Sequence, residues 1–415
     1  MPSFAASCVG VACGTGWPGC ARAWVSRRRP PRIRASSGDN DMYYYWNTGS
    51  WDDFADSFNL VWLFSESIQG AADFHELMRT ARHIRPGNVD DWYSGFGRIG
   101  DHVKRLADQA AAGGHDTTAS ECYLRAFSYY RAAELRLPGK DARKLPMYYR
   151  AIACWQAGIT RSPQPHEDVK IAFDGIELAG HFFAPRARIF RDPPPCIVFL
   201  SGADALPEEN FFRGVQYITA RGVACLVFNG PGQGSTIRLL NRPTIPDYER
   251  PVSAAVDYLM TRRDIDHDRI GLLGVSMAGY YAPRAACFEH RFKACVAWGG
   301  LYNILEDLYL YYPPIRKQLQ WIGGCQSDEE ARAYYAKFTL QGLLPRIRCP
   351  VLITHGIWDT KVPLSSAQRT FDELAVKDKE LRLYDDVEGG AEHCNIENWV
   401  QVIPYQVDWL IDRLR

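Results

Sequence analysis

From residue 42 to about residue 161, apolar side chains recur at three- and four-residue spacing and almost never alternate, which is the helical period. The clearest stretch follows Thr117-Thr118, a pair suited to capping a helix. Tyr123, Leu124, Phe127, Tyr130 and Leu135 line one face of it, and it stops before Pro138-Gly139. Such a stripe is a packing face, so residues 42–165 are expected to form a helical cap domain with a small core of its own. After Pro163 the period shortens. Residues 169–173 and 176–180 flank Asp174-Gly175, a strong two-residue hairpin signal. Buried-strand candidates, short runs in which β-branched and other apolar residues predominate, follow at 196–200, 223–228, 270–273, 294–297, 351–354 and 381–384, with helical patterns between most of them, including 248–262 and 399–414. Strands alternating with helices predict a mostly parallel sheet covered on both faces. An antiparallel hairpin at one edge of such a sheet is the α/β-hydrolase plan, so the fold class is α/β, with residues 166–415 as the catalytic domain. About fifty residues separate the runs at 294–297 and 351–354, too many for a simple crossover, and residues 302–343 are read as a helical lid insertion.

Composition narrows the classes of function. The 48 basic side chains are balanced by 48 acidic ones, which gives no reason to expect nucleic acid or an anionic membrane as partner. The balance hides an Arg-rich segment at residues 1–41, read as a disordered or leader extension for which an organelle transit role is compatible; the remainder is mildly acidic. The twelve cysteines form no C-x-x-C pair and several sit inside apolar runs, as buried free thiols do; this pattern favours a reducing, cytoplasmic setting and no zinc site. No run approaches the ~18 consecutive apolar residues of a membrane-spanning helix.

The chemistry gathers in three places. The predicted strand at 270–273 runs into Gly274-Val275-Ser276-Met277-Ala278-Gly279 and then into a helical pattern, the strand-turn-helix setting of a nucleophile elbow. Strand and helix approach closely there, so the neighbours two before and two after the serine must be small; Ala278 stands where glycine is usual. A serine hydroxyl needs a base, and the base an orienting acid, which in this fold follow in the order Ser, acid, His. Of the histidines after Ser276, only His393 follows a plausible acid, Asp359, which lies in a loop after the strand at 351–354. His355 is expected to make a structural hydrogen bond, and Asp385 or Asp386 are alternative acids. The oxyanion of a tetrahedral intermediate needs two N–H donors, for which Met277 and Ala203 are the candidates, with Gly202 allowing a sharp turn beside Ala203. Asn229-Gly230-Pro231-Gly232-Gln233-Gly234 lacks the Lys-Ser/Thr of a phosphate-binding loop and reads as a tight loop bordering the cleft.

Residues 229–234, 274–286 and 355–363, the Phe338-Thr339-Leu340 stretch before Ile347-Arg348-Cys349-Pro350, and the Cys-Asn after His393 together resemble one α/β-hydrolase group. That group comprises 2,6-dihydroxypseudooxynicotine hydrolase-like enzymes and fungal hydrolases of polyketide and related secondary-metabolite pathways. Asp91-Trp92-Tyr93 and residues 123–130 resemble the group's helical cap. The resemblance implies a serine-dependent hydrolase with no cofactor or metal, whose members cleave carbon–carbon bonds next to a carbonyl as well as esters. It places Ser276, Asp359 and His393 on the family's triad, and differs in Ala278 and in Ala391-Glu392 before the histidine.

The expected function is hydrolysis of a carbonyl-bearing, largely apolar or aromatic small molecule held between cap and sheet and enclosed by Tyr and Trp from both lids. A non-hydrolytic cyclase or acyltransferase on the same scaffold, and a non-catalytic ligand-binding protein, are the alternatives. A small-molecule substrate is the partner expected, and a homodimer is compatible with the sequence.

Overall fold

The computed structural model describes residues 51–190 and 193–415; the readings of residues 1–41, Cys8, Cys13 and Cys20 among them, lie outside the described residues. The first described segment is helical: α1 (Trp51–Ser67), α2 (Phe74–Ala81), α3 (Val89–Ala112), α4 (Asp116–Leu135) and α5 (Lys144–Ile159). Asp73 and Asn88 cap α2 and α3 by accepting from Glu76 N and Asp91 N. Helix α4 departs from expectation, because it starts at Asp116 with no side-chain cap at His115 and so takes Thr117 and Thr118 into its first turn. Helices α3 and α4 pack closely where Gly100 faces Tyr130; a Cβ there would stand 2.7 Å from the ring.

Asp174 and Gly175 both take positive φ (49° and 77°), as a two-residue hairpin turn matched to strand twist requires. They join β1 (His166–Phe173) to β2 (Ile176–Phe183) at one edge of an eight-stranded sheet. The other strands are β3 (Cys196–Leu200), β4 (Ala224–Phe228), β5 (Ile270–Val275), β6 (Phe292–Trp298), β7 (Val351–Gly356) and β8 (Lys379–Tyr384). Their order is β1-β2-β4-β3-β5-β6-β7-β8; β2 meets β4 antiparallel, and every pair from β4 to β8 is parallel. Connections carry α6 (Gln216–Ala220), α7 (Gly234–Arg238), α8 (Glu249–Thr261), α9 (Ala278–Ala286), α10 (Arg316–Ile322), α11 (Asp328–Tyr335), α12 (Leu364–Glu373) and α13 (Trp399–Arg413). Between β6 and β7, a π-helical stretch (Leu305–Leu310) precedes α10 and α11.

Because side chains alternate along a strand, β5 sends Leu273 and Val275 to one face and Ile270 and Leu272 to the other. The face with Leu273 and Val275 shares one continuous apolar core with α1–α5 and α13, through Trp92, Phe127, Trp155 and Trp399. The helical region therefore has no separate core, contrary to the sequence reading: Phe127 of α4 packs on Trp155 of α5 and also stacks on Phe212, in the segment that follows β3. The nine described cysteines are free and buried. Among the described residues, no helix is long and apolar enough to cross a membrane.

The loops following β3, β4, β5, β7 and β8 all leave the carboxyl ends of parallel strands, the edge of an open α/β sheet where ligands bind. Each contributes to the site described next.

Candidate active site

Ser276 sits between β5 and α9 with φ 59°, a left-handed conformation that a non-glycine residue adopts only where its surroundings enforce it. The enforcement is visible at Gly274, where a Cβ would lie 2.2 Å from Ala278 O and 2.8 Å from Ala282 Cβ, so strand and helix meet with no room for a side chain. On the helix side the crowded position is Gly279, whose Cβ would lie 2.5 Å from Gly299 O. Ala278 is buried, its methyl accommodated one residue before that contact.

From the turn, Ser276 Oγ lies 2.9 Å from His393 Nε2, and His393 Nδ1 lies 2.8 Å from Asp359 Oδ2. The backbone N–H groups of Lys361 and Val362 donate to Asp359 Oδ1, so the carboxylate presents its other oxygen to the imidazole. Burial disfavours the Asp359 charge, but the neighbouring His393 and the N–H donors hold its carboxyl below the usual range. Burial likewise opposes the His393 charge, and Asp359 more than offsets it, raising the imidazole above its ordinary value. His355 is also buried, but its Nε2 donates to Val362 O at 3.1 Å and stands 3.7 Å from Asp359 Oδ2. Its hydrogen bond is to the turn that carries Asp359. Asp385 accepts from Val387 N and Glu388 N in an exposed turn.

The loop around His393 is itself strained. Cys394 and Asn395 have φ 53° and 54°, and the indoles of Trp298 and Trp399 both donate to Cys394 O at 2.9 Å. Glu392, where the sequence departs from the pattern of the group it resembles, ties this loop to the loop of Asp359: its Oε1 accepts from Thr360 N, Thr360 Oγ1 and His393 N. Burial first, then the Asp359 charge, push the Glu392 carboxyl up to about 8 despite those donors.

Gly202 packs against the serine; a Cβ there would lie 3.0 Å from Ser276 Cβ. Close approach therefore explains this glycine, and the turn residue is Asp204, with φ 47°. Gln233 Nε2 donates to Gly202 O at 2.9 Å and to Ser201 O, while Tyr248 hydroxyl donates to Gln233 Oε1 at 2.8 Å and so fixes which end of the amide faces the loop. In a planar trans peptide the N–H points opposite to the C=O. Gln233, by holding Gly202 O, thus turns the Ala203 N–H the other way. Among the described residues, neither Ala203 N–H nor Met277 N–H finds a protein acceptor.

Ser276, His393, Gly202 and Ala203 line a cavity of about 130 Å³, closed on the cap side by Phe58, Trp62 and Trp92. The lid lines it with Leu308, Ile315 and Gln318 rather than with the expected Tyr and Trp. The lining is mostly apolar, with one charged side. Glu66, Arg131, Asp204, Glu209 and Arg213 form one wall. Arg131 joins Glu209 (3.0 Å) and Asp204 (3.3 Å), and Arg213 joins Glu66 (2.7 Å), so helices α1 and α4 are ionically tied to the loop that carries Ala203.

Comparison with known proteins agrees with this architecture. Residues 209–412 match the prolyl oligopeptidase family. A 2,6-dihydropseudooxynicotine hydrolase of Paenarthrobacter nicotinovorans is 30% identical over 336 residues, 80% of this chain and 86% of that protein. The alpha/beta hydrolase xenA of Xenoacremonium sinensis is 30% identical over 400 residues, 83% of this chain and 93% of that one. The crystal structure of the 2,6-dihydroxy-pseudo-oxynicotine hydrolase superposes with a TM-score of 0.73 at 27% identity, covering 85% of this chain and 95% of that one. The chain belongs to this α/β-hydrolase family. It is a hydrolase by that membership, related to alpha/beta hydrolases of fungi.

In this hydrolase the sequence reading had not assigned roles to Gln233, Tyr248, Gly279, Glu392 or the ionic wall. Gln233 carried one signal, a polar residue in a glycine-rich loop after a strand. The ionic wall carried none, because its members come from separate segments and read as ordinary helix surface.

Proposed function

We propose that the hydrolase cleaves a carbonyl-bearing small molecule with Ser276 as nucleophile, His393 as base and Asp359 as the group that orients and charges the base. The observation that carries the reading is the hydrogen-bonded chain from Ser276 Oγ through His393 to Asp359, standing at a cavity wall on a strained turn. His393 takes the serine proton as Oγ attacks the carbonyl, and the oxyanion is met by the Ala203 and Met277 N–H groups. Protonated His393 then donates to the leaving group. Water, activated by the same imidazole, releases the acyl group from Ser276. A leaving carbanion or enolate makes the reaction a C–C hydrolysis, and a leaving alkoxide makes it ester hydrolysis; direct attack by water on the carbonyl uses the same base.

The cavity volume, about 130 Å³, suits a substrate of roughly one aromatic ring, judged by the ~150 Å³ cavities that admit benzene. No cofactor enters this chemistry. Turnover of 4-nitrophenyl esters and of aryl 1,3-diketones by Ser276→Ala tests the reading. Loss of at least about a thousandfold in kcat is expected, and near-wild-type hydrolysis by the variant eliminates it.

A further inference from the structure

Eight ionisable side chains are buried around the loop that carries Ala203: the acids Glu66, Glu134, Asp204 and Glu209, and the bases Arg131, Lys144, Arg213 and Arg238. Every base is paired with at least one acid, and the two sets are equal in number, so this wall balances its own charge. Lys361 is different. Its backbone N–H is tied to Asp359 Oδ1, and its side chain lines the cavity with Ser276 and His393. Its Nζ stands 3.2 Å from the centroid of the Phe58 ring and 5.3 Å from that of Tyr312, and makes no hydrogen bond or ion pair among the described residues.

A cation over aromatic faces gains less than withdrawing an ammonium from water costs. The charge of this half-buried side chain is therefore under-compensated, and desolvation, with Arg136 nearby, pushes the Lys361 ammonium down to about 7, against the pull of Glu392 and Asp359. The Phe58 ring that carries the ammonium also packs against the His393 ring, with centroids 6.1 Å apart. The cation and the reacting groups thus share one wall of a cavity about one ring in size.

We propose that Lys361 binds an anionic oxygen of the substrate, a carboxylate or the ionised hydroxyl of an acidic phenol or enol, and so selects acidic ring compounds for reaction at Ser276. This rests on the reading of Ser276 given above. An anion in the cavity supplies the counter-charge that the protein withholds, and the same contact raises the lysine back into its charged form.

Calorimetric titration at mildly acidic pH tests it with two matched pairs, benzoate against benzamide and 2,4-dinitrophenolate against 2,4-dinitroaniline. The wild-type protein is expected to bind the anion of at least one pair about tenfold or more tightly than its neutral partner, which is 1.4 kcal/mol. Which pair shows the preference separates carboxylate from phenolate. Lys361→Met removes the preference and Lys361→Arg retains it. A wild-type ratio near one, no binding of either anion, or a ratio that survives in Lys361→Met overturns the proposal. Ser276→Ala keeps the anion preference while losing turnover; if it keeps turnover instead, the reading of Ser276 fails, and the Lys361→Met ratio still decides the binding site.

Discussion

Replacing Gln233 by Leu removes two buried donors while adding no charge. The Ser201 and Gly202 carbonyls, buried beneath the nucleophile turn, lose their side-chain partner, and each orphaned carbonyl costs about 1–3 kcal/mol. Stability is expected to fall by about 2–4 kcal/mol, the lower part of the two-carbonyl range, because a loop can turn one carbonyl toward solvent. The larger consequence is catalytic. The peptide between Gly202 and Ala203 is no longer held, so its N–H leaves the oxyanion position, and losing one such donor lowers kcat by about 10²–10³. Tyr248→Phe is the graded control: Gln233 stays, its amide is free to rotate, and the loss of one hydrogen bond worth ~1 kcal/mol corresponds to a fall of about fivefold in kcat. The assay is kcat and KM on 4-nitrophenyl esters, together with inhibition by a phenylboronic acid that mimics the tetrahedral intermediate. Both kcat and boronate affinity should fall in Gln233→Leu while KM changes little. Wild-type kcat and boronate affinity in a folded Gln233→Leu would refute the role assigned to this loop.

Other substitutions probe the remaining supports. Gly274→Ala places a Cβ 2.2 Å from a backbone oxygen of α9; it is expected to destabilise by about 1–3 kcal/mol or more and to displace Ser276, seen as a lower melting temperature with a larger loss of kcat than of KM. Arg131→Met leaves Glu209 and Asp204 each with one base fewer in a buried setting, for an expected loss of about 3–5 kcal/mol by chemical denaturation. Because Asp359 raises His393, the base is protonated and idle at low pH and becomes competent as pH rises; the acid limb of kcat/KM should be centred above the ordinary imidazole value of about 6.5. A limb centred below that value would contradict the coupling.

How far the chain could be read depended on the range of the interactions. All eight strands were legible: β3 to β7 as short, mostly apolar runs, β1 and β2 by the Asp174-Gly175 turn between them, whose positive φ the sequence announced, and β8 by its Leu381-Arg382-Leu383-Tyr384 stretch. Chain order after Ser276 singled out Asp359 and His393, and the three side chains stand within hydrogen-bond distance in sequence along one line. Helix α4 starts at Asp116 without a side-chain cap, so Thr117 and Thr118 lie inside its first turn instead of capping it. Gln233 and Glu392 escaped notice for a common reason: each acts on backbone groups of a distant loop, and no local pattern records that partnership. The charged wall of the cavity was hidden similarly. Arg131 and Glu134 share one face of α4, yet their remaining partners, Asp204, Glu209 and Arg238, arrive from the catalytic half of the chain.

The central claim is that Ser276 is the nucleophile, and covalent trapping tests it most directly. Treatment with a fluorophosphonate followed by peptide mass spectrometry should place the label on Ser276, abolish hydrolysis in step with labelling, and leave Ser276→Ala unmodified. A protein that stays active with Ser276 fully labelled, or that loses activity through a label on another residue, would contradict it.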